Sequence, residues 1–485
     1  MWKSYPHPTK HGEFCQERCG FDTIEEMMVE KLRERHPRLV YTSYKMAQTG
    51  NELVVVYTYL LEPDSTFEST YRFPCPSKIE LSLVEPFLFQ LGMVEAISYW
   101  KLACPQELLV QAGALTTTDI SFFKSLFLHG LGEFYYVNTI DFTIDNFFAI
   151  RSTKSGENSP VEISTKAIDL VLVGGGKDSA LLLSLLTKSH RSIKPLVINP
   201  SLAAEKTIQA LGLDSPLVVT RTIDPKLIKL NGQGYLNGHT PFSALLSFVG
   251  VTVAALFGYE NVIVANEQSA NEGNVVYKGV EVNHQYSKSL RYENLFREHL
   301  QETLTPSIAY FSAMRAFNDV QIAKMFSFET ALLPIFRSCN RSRTINEWCG
   351  ECAKCAFTYL TLFPFVPYEK IITIFGRDYF SNPLILGFIR ELVGIIPVKP
   401  FECVGTSDEA KLALLLSIGS YKRFGREVPE GLLLIKTEVC LVEQDVGELS
   451  TRVLDHIYDN HNLPDEHATL MMAAWKRSQR RHKKV

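Results

Sequence analysis

The chain has 485 residues, room for roughly three domains at about 150 residues each, and its 46% hydrophobic and 21% charged content is that of a globular protein with a sizeable core. With 49 basic against 53 acidic residues the formal charge is -4, which argues against a general nucleic-acid partner; a polyanion would have to meet a local patch. The opening "MWKSYPHPTKHGEFC" lacks the apolar core of a secretory signal and no uninterrupted apolar run reaches about 18 residues, so a cytoplasmic protein with no membrane partner is expected.

Residues 1–160 read as an α+β N-terminal domain with a possible part in substrate binding. "ELVVVYTYLL" and "STYRFPC" are strands separated by the turn-rich "EPDST", and "SLVEPFLFQLGMVEAISYWKLA" and "TDISFFKSLFLHGLGEFYYV" are helices. "SYWK" and "HGLGEF" suit a ligand site, but aromatics at helical spacing are more often core. His7, His11, Cys15 and Cys19 are too loosely spaced to define a metal site.

Residues 161–400 change rhythm. "AIDLVLV", "KPLVINP", "SPLVVT" and "NVIVAN" are strands apolar on both faces, and "DSALLLSLLTKS", "LAAEKTIQAL" and "PFSALLSFVGVTVAALFG" are helices between them. That alternation predicts an α/β fold with a doubly wound parallel sheet. Thr240 and Pro241 suit the cap and first turn of the long helix.

The first strand runs into Gly174, Gly175, Gly176, Lys177, Asp178 and Ser179. A P-loop fails because Asp178 follows the lysine and Val171 stands where its first glycine belongs; a dinucleotide fingerprint fails because Ser179 replaces its third glycine. A turn that needs glycine for geometry alone would not call for Asp-Ser at its exit. Glycines let successive N–H groups form an anion nest at a helix N-terminus, Lys177 adds charge, Ser179 a donor, and Asp178 a cap or a magnesium ligand. In an open α/β sheet the ligand lies beyond the strand ends, so Asn199 and Asn266 should flank a nucleotide there. The polar run that follows, "ANEQSANEGNVVYKGVEVNHQYSKSL", supplies Glu267, Asn271, His284 and Lys288 as groups able to bind a carboxylate, hold a metal or move protons, with His239 in reserve.

Cys339, Cys349, Cys352 and Cys355 lie within 17 residues, at spacings that suit four thiolates around zinc rather than disulfides. A closed thiolate shell is a folding staple, here fixing nearby Arg337, Arg341 and Arg343; an iron–sulfur cluster is the alternative occupant. Residues 401–485 read as a helical C-terminal region. Its end is a basic tail with Lys476, Arg477, Arg480, Arg481, Lys483 and Lys484, most simply a solvated one.

The glycine turn resembles the PP-loop of the ATP pyrophosphatases, S-G-G-x-D-[ST], with Gly174 in place of the opening serine. The cysteine pattern is similar to that of the 7-cyano-7-deazaguanine synthases, which share that loop. "GGGKDS", "ANEQSANEGN" running into "VNHQYSKS", and "WCGECAKC" together resemble the UDP-N-acetylmuramoyl-L-alanyl-L-glutamate epimerases (the MurL family), over about the middle two-fifths of the chain. That resemblance implies ATP and magnesium as cofactors and a UDP-linked muramoyl dipeptide as substrate. It also implies inversion of the terminal L-glutamate through an acyl-adenylate, with AMP and pyrophosphate released. On it, His284 and Lys288 are the candidates for proton transfer, with Glu267 and Asp178 beside them, and the three arginines are candidates to hold the diphosphate or the glutamate side chain. The rival is a PP-loop enzyme that adenylates a nucleobase or tRNA, which commonly carries a basic surface that this chain lacks outside its tail.

Overall fold

The computed structural model describes residues 18–157, 159–342 and 345–482, with backbone alone for 18–26 and 481–482. His7, His11, Cys15, Arg343, Lys483 and Lys484 lie outside the described residues, as do the side chains of Cys19 and Arg481. The N-terminal half runs α1 (Arg18–Arg35), β1 (Arg38–Thr49), β2 (Glu52–Leu61), β3 (Ser65–Pro74), α2 (Leu81–Trp100), β4 (Glu107–Ala114), α3 (Thr117–Gly130), α4 (Gly132–Val137) and β5 (Ala149–Lys154). Then come β6 (Lys166–Leu172), α5 (Lys177–Lys188), β7 (Ile193–Ile198), α6 (Leu202–Ala210), β8 (Leu217–Thr222), α7 (Pro225–Asn231), α8 (Phe242–Phe257) and β9 (Tyr259–Val264). A hairpin of β10 (Val275–Tyr277) and β11 (Val280–Val282) precedes α9 (Leu290–His299), β12 (Ala309–Ser312), α10 (Asp319–Phe326) and α11 (Ala353–Leu362). The helical end comprises α12 (Tyr368–Phe375), α13 (Pro383–Leu392), α14 (Ser407–Arg423), α15 (Glu430–Glu438), α16 (Asp445–Ser450) and α17 (Asp465–His482).

Ten strands form one sheet in the order β12-β9-β6-β7-β8-β3-β2-β1-β4-β5. The strands from β12 to β8 are parallel, β8-β3-β2-β1 pair antiparallel, and β4 and β5 rejoin in parallel. Residues before 160 thus supply five strands to the same sheet that carries the glycine turn, through the pairing of Tyr71 with Arg221.

Alternation along the strands explains the layering. Leu170 and Leu172 of β6 join Val262 of β9 in a core with α2 and α8, whereas Val171 and Val173 join Ile263 in a second core with α5, α10 and α11. Apolar side chains on both faces are what a parallel sheet covered twice requires. β2 shows the other pattern: Leu53, Val55, Tyr57, Tyr59 and Leu61 are buried while their neighbours are only partly so. α2 is long and apolar enough to cross a membrane, yet 72% of its most apolar window is buried inside the molecule, against α8 and the sheet.

Two local expectations change. The helix anticipated over 118–137 is two, α3 and α4, broken at Leu131, whose φ of -104° and ψ of 13° leave the helical region. Thr240 does not cap α8: Pro241 at ψ 71° is not helical, so the helix begins one residue later with no side-chain cap.

Candidate active site

β6 is central, with β7 and β8 wound outward on one side and β9 and β12 on the other. The chain reverses its winding direction here, and at such a switch point an open doubly wound sheet binds nucleotides in the crevice beyond its strand ends. The glycine turn stands at that opening. Its carbonyls are tied down: Ser201 Oγ donates to Gly174 O at 3.3 Å, the Arg337 amide to Gly175 O at 3.0 Å, and Ser179 Oγ to Gly176 O at 3.2 Å. Among the described residues no acceptor takes the N–H groups of Gly174, Gly175, Gly176 or Lys177. Gly175 has φ +88°, and a Cβ there would fall 2.6 Å from the Ala204 amide nitrogen at the start of α6. Free amides at the N-terminus of α5 are the makings of an anion nest.

Lys177 is buried and ion-paired with Asp178 and Asp319. Burial disfavours its charge, but the carboxylates of Asp178, Asp319 and Glu267 outweigh burial and raise the ammonium above its ordinary range. Asp319 opens α10, where Asn318 and Gln321 form a capping box and Ser269 Oγ receives the Asp319 amide at 3.0 Å. Glu267, buried, lies just beyond β9. Arg315, fully buried, donates to Glu267 O at 2.6 Å and Lys288 O at 2.5 Å and pairs with Glu293 at 3.0 Å, so a single guanidinium fixes the backbone of both polar residues.

At the other end of the crevice the His284 Nδ1 sits 2.5 Å from Glu133 Oε2, and the His239 ring lies 4.3 Å from the His284 ring. His284 is penalised by burial, yet its contacts with Cys403 and Glu133 raise it to about 10. Burial, His284, Lys101 and Lys288 together push His239 well below its ordinary value. Burial brings Lys101, which donates to Gly238 O at 2.5 Å, down to about 7. Lys288 is half-buried; against burial, the charges of Cys403, Glu267 and Asp178 raise its ammonium, which links this cluster to the glycine turn. Glu133, His239 and His284 approach closely enough to suggest a cation site. The His284–Glu133 contact at 2.5 Å is a short hydrogen bond.

The sequence candidates divide. Gly174 to Gly176 form the turn that leads into α5; Lys177, Asp178, Glu267 and Lys288 are electrostatically coupled, Lys288 and His284 both act on Cys403, and His239 lies beside His284. Asn266 is half-buried at the end of β9, where its carbonyl receives Ser312 Oγ at 2.5 Å. Asn199 follows β7, but its amide is spent on the Arg221 backbone in both directions at 2.9 Å. Asn271 commits its Oδ1 to the Leu290 amide at 2.7 Å. Arg337 donates to the carbonyls of Asn346, Pro334 and Phe336, and Arg341 to that of Glu351, so both fasten the cysteine loop. Cys403, Glu133, Lys101, Asp319 and Arg315 carry no motif. Lys101 and Glu133 do lie in "SYWK" and "HGLGEF", whose rings Tyr99, Trp100 and Phe134 are core.

The sulfurs of Cys339, Cys349, Cys352 and Cys355 lie within 4.8 Å of one another, and those of Cys349 and Cys355 are 3.7 Å apart. Zinc–sulfur bonds of about 2.3 Å place the corners of a tetrahedron about 3.8 Å apart, so the cluster can hold zinc. Two residues before Cys339, the Arg337 amide holds Gly175 O, which couples the cluster to the glycine turn.

Residues 30–313 match the family model described as the MurL N-terminal domain, and residues 335–431 that described as the MurL C-terminal domain. The chain is similar to proteins named UDP-N-acetyl-alpha-D-muramoyl-L-alanyl-L-glutamate epimerase. That from Salinispora tropica is 33% identical over 400 residues, 80% of this chain and 86% of the relative. That from a Micromonospora species is 32% identical over 402 residues, 80% and 88%, and that from Xanthomonas oryzae pv. oryzae 30% over 438 residues, 86% and 93%.

Proposed function

We propose, from the premise that the chain belongs to the MurL family, that it is an ATP-dependent epimerase, an isomerase that inverts the terminal L-glutamate of UDP-N-acetylmuramoyl-L-alanyl-L-glutamate. The observation that carries the ATP reading is the turn at Gly174 to Lys177, with its carbonyls tied back and its amides free at the head of α5. We assign the β and γ phosphates of ATP to this nest. The α-carboxylate of the glutamate attacks the α-phosphorus, pyrophosphate leaves into the nest, and an acyl-adenylate forms. The oxygen donors of Asp178 and Asp319 suit a hard cation, and magnesium held there would offset the charge of the phosphates.

Adenylation makes inversion feasible. A carboxylate beside Cα opposes loss of the α-proton, whereas an adenylated carbonyl accepts the electron pair as an enolate. His284 and Lys288 serve proton transfer, with His239 adjacent, and Glu267 holds the charge of Lys177 and Lys288. Water then releases AMP and the inverted acid. Zinc bound by the four thiolates has no open position, so its role is to fix the loop behind Gly175.

The test is incubation of the chain with ATP, magnesium and the muramoyl dipeptide, followed by chiral analysis of glutamate after hydrolysis. D-Glutamate should accumulate with AMP and pyrophosphate, and Asp178→Ala should abolish both. Release of ADP and orthophosphate would refute the adenylate; AMP formation dependent on tRNA or a nucleobase instead of the dipeptide would assign the chain to base modification.

A further inference from the structure

Cys403 has no task in the reading above, yet it is the hub of the histidine end of the crevice. The His284 ring, the Lys288 ammonium and the charge of Lys354 on α11 all act electrostatically on its sulfur. His284 Nδ1 is taken by Glu133, which leaves Nε2 for the thiol. Sulfur, imidazole and carboxylate in that order form the chain that activates a nucleophile or base: the acid orients the ring, and the ring holds the proton.

The placement is rigid. Asn274 Nδ2 donates to Pro400 O at 2.8 Å and Gln285 Nε2 to Val404 O at 3.0 Å, pinning the backbone on both sides of Cys403. The Oδ1 of the same Asn274 accepts the His284 amide at 2.8 Å, so ring and thiol are set by one side chain. Cys403 is half-buried, neither sealed nor part of the four-cysteine cluster. Burial would raise its thiol, but Lys288, Lys354 and His284 together hold it well below the ordinary range, while the neighbouring Glu402 carboxyl is itself raised by burial. A half-exposed thiol ringed by cations is the environment of a reactive cysteine.

We propose that Cys403 is the catalytic acid–base group on one face of the glutamyl α-carbon, acting as a thiolate paired with the His284 imidazolium that Glu133 positions. The proposal rests on the adenylate reading for its substrate. In the L-to-D direction the thiolate sulfur takes the α-proton, the Cα–H electron pair moves into the Cα–carbonyl bond, and the carbonyl pair moves onto oxygen. Water in the crevice protonates the opposite face, the carbonyl re-forms, and the thiol returns its proton to solvent through His284. Because His284 and Lys288 both act on the same sulfur, both serve this one face rather than facing each other across the carbon.

Two measurements on the full chain test this. Iodoacetamide labelling against pH, read by peptide mapping, should modify Cys403 with a midpoint below the ordinary thiol value of about 8.5, and His284→Asn should move that midpoint up. Cys403→Ser, melting with the wild type, should invert the dipeptide at least about 100-fold more slowly, the usual scale of a lost acid–base group. An ordinary midpoint overturns the proposal, as does a folded Cys403→Ser that inverts within about twofold of the wild type. If that variant does not fold, the labelling midpoint decides. Substrate-dependent exchange of labelled pyrophosphate into ATP by the wild type is measured alongside; its absence refutes the adenylate and leaves the labelling result readable.

Discussion

The three glycines of the turn are not equivalent, and two substitutions separate a phosphate cradle from a bend that merely needs glycine. Gly175 has φ +88°, and a Cβ there meets the Ala204 amide nitrogen at 2.6 Å and the Ala203 carbonyl carbon at 2.9 Å. Left-handed backbone costs a residue with a side chain about 1–2 kcal/mol, and forcing a methyl against fixed backbone about 1–3 kcal/mol more. Gly175→Ala should therefore lose about 2–5 kcal/mol, melt several degrees lower, and lose pyrophosphate formation. Gly174 has nothing within 4 Å of its Cβ position and no positive φ. Gly174→Ser should melt with the wild type, and a hydroxyl reaching a charged phosphate adds about 1.5–3 kcal/mol at most, so ATP should bind as well or up to about 100-fold tighter. Differential scanning fluorimetry and calorimetric ATP titration check both. A Gly175→Ala chain as stable as the wild type would refute the geometry. A folded Gly174→Ser chain that cannot bind ATP would refute the cradle.

Three further outcomes follow from the site. Purified chain should carry stoichiometric zinc by elemental analysis, and chelation should weaken ATP binding about 2- to 12-fold, the worth of the Arg337–Gly175 hydrogen bond at about 0.5–1.5 kcal/mol; unchanged affinity after zinc loss would break that link. His284 is raised from its ordinary value to about 10 in the folded chain, so its stabilising contribution is complete below about pH 6.5 and is lost as pH rises through about 10. His284→Gln should accordingly melt furthest below the wild type near pH 6 and converge with it near pH 10. Arg315→Met leaves Glu293 buried without its partner and should cost about 3–5 kcal/mol, with part of the loss recovered by adding Glu293→Gln, as thermal melting would report.

The parallel part of the sheet is legible because its strands are apolar on both faces and its helices fill the gaps between them. The glycine turn is legible as the link from β6 to α5 because it is local: six consecutive residues make it. The cysteine cluster is legible for the same reason, its ligands lying within one short loop. What the sequence hides is long-range. Cys403 follows His284 by more than a hundred residues, and only the fold, through Asn274 and Gln285, sets the two together. Lys101 and Glu133 are masked by the aromatics around them: Trp100 and Phe134 are core, as helical spacing suggests, but the adjoining polar groups turn toward His239 and His284.

The junction of the two halves shows why such distant residues can be held in register. Glu95 of α2, fully buried, accepts both arms of Arg221 from β8 at 2.8 and 2.9 Å, Tyr71 of β3 at 2.6 Å and Ser69 at 2.8 Å. A buried carboxylate met by a bidentate guanidinium and two hydroxyls has its charge satisfied, and removal of the guanidinium would leave it buried without a compensating charge. The clamp sits where β3 pairs with β8, the seam between the antiparallel and parallel strands. α2, anchored there by Glu95, ends at Trp100, and the next residue is Lys101, with its ammonium on the loop that carries His239. The seam therefore does more than close the sheet. It sets a lysine from one half beside the histidines of the other, and a loosened clamp, as in Arg221→Met, should disturb dipeptide inversion more than ATP binding at the glycine turn, a split that kinetics and calorimetry would read directly.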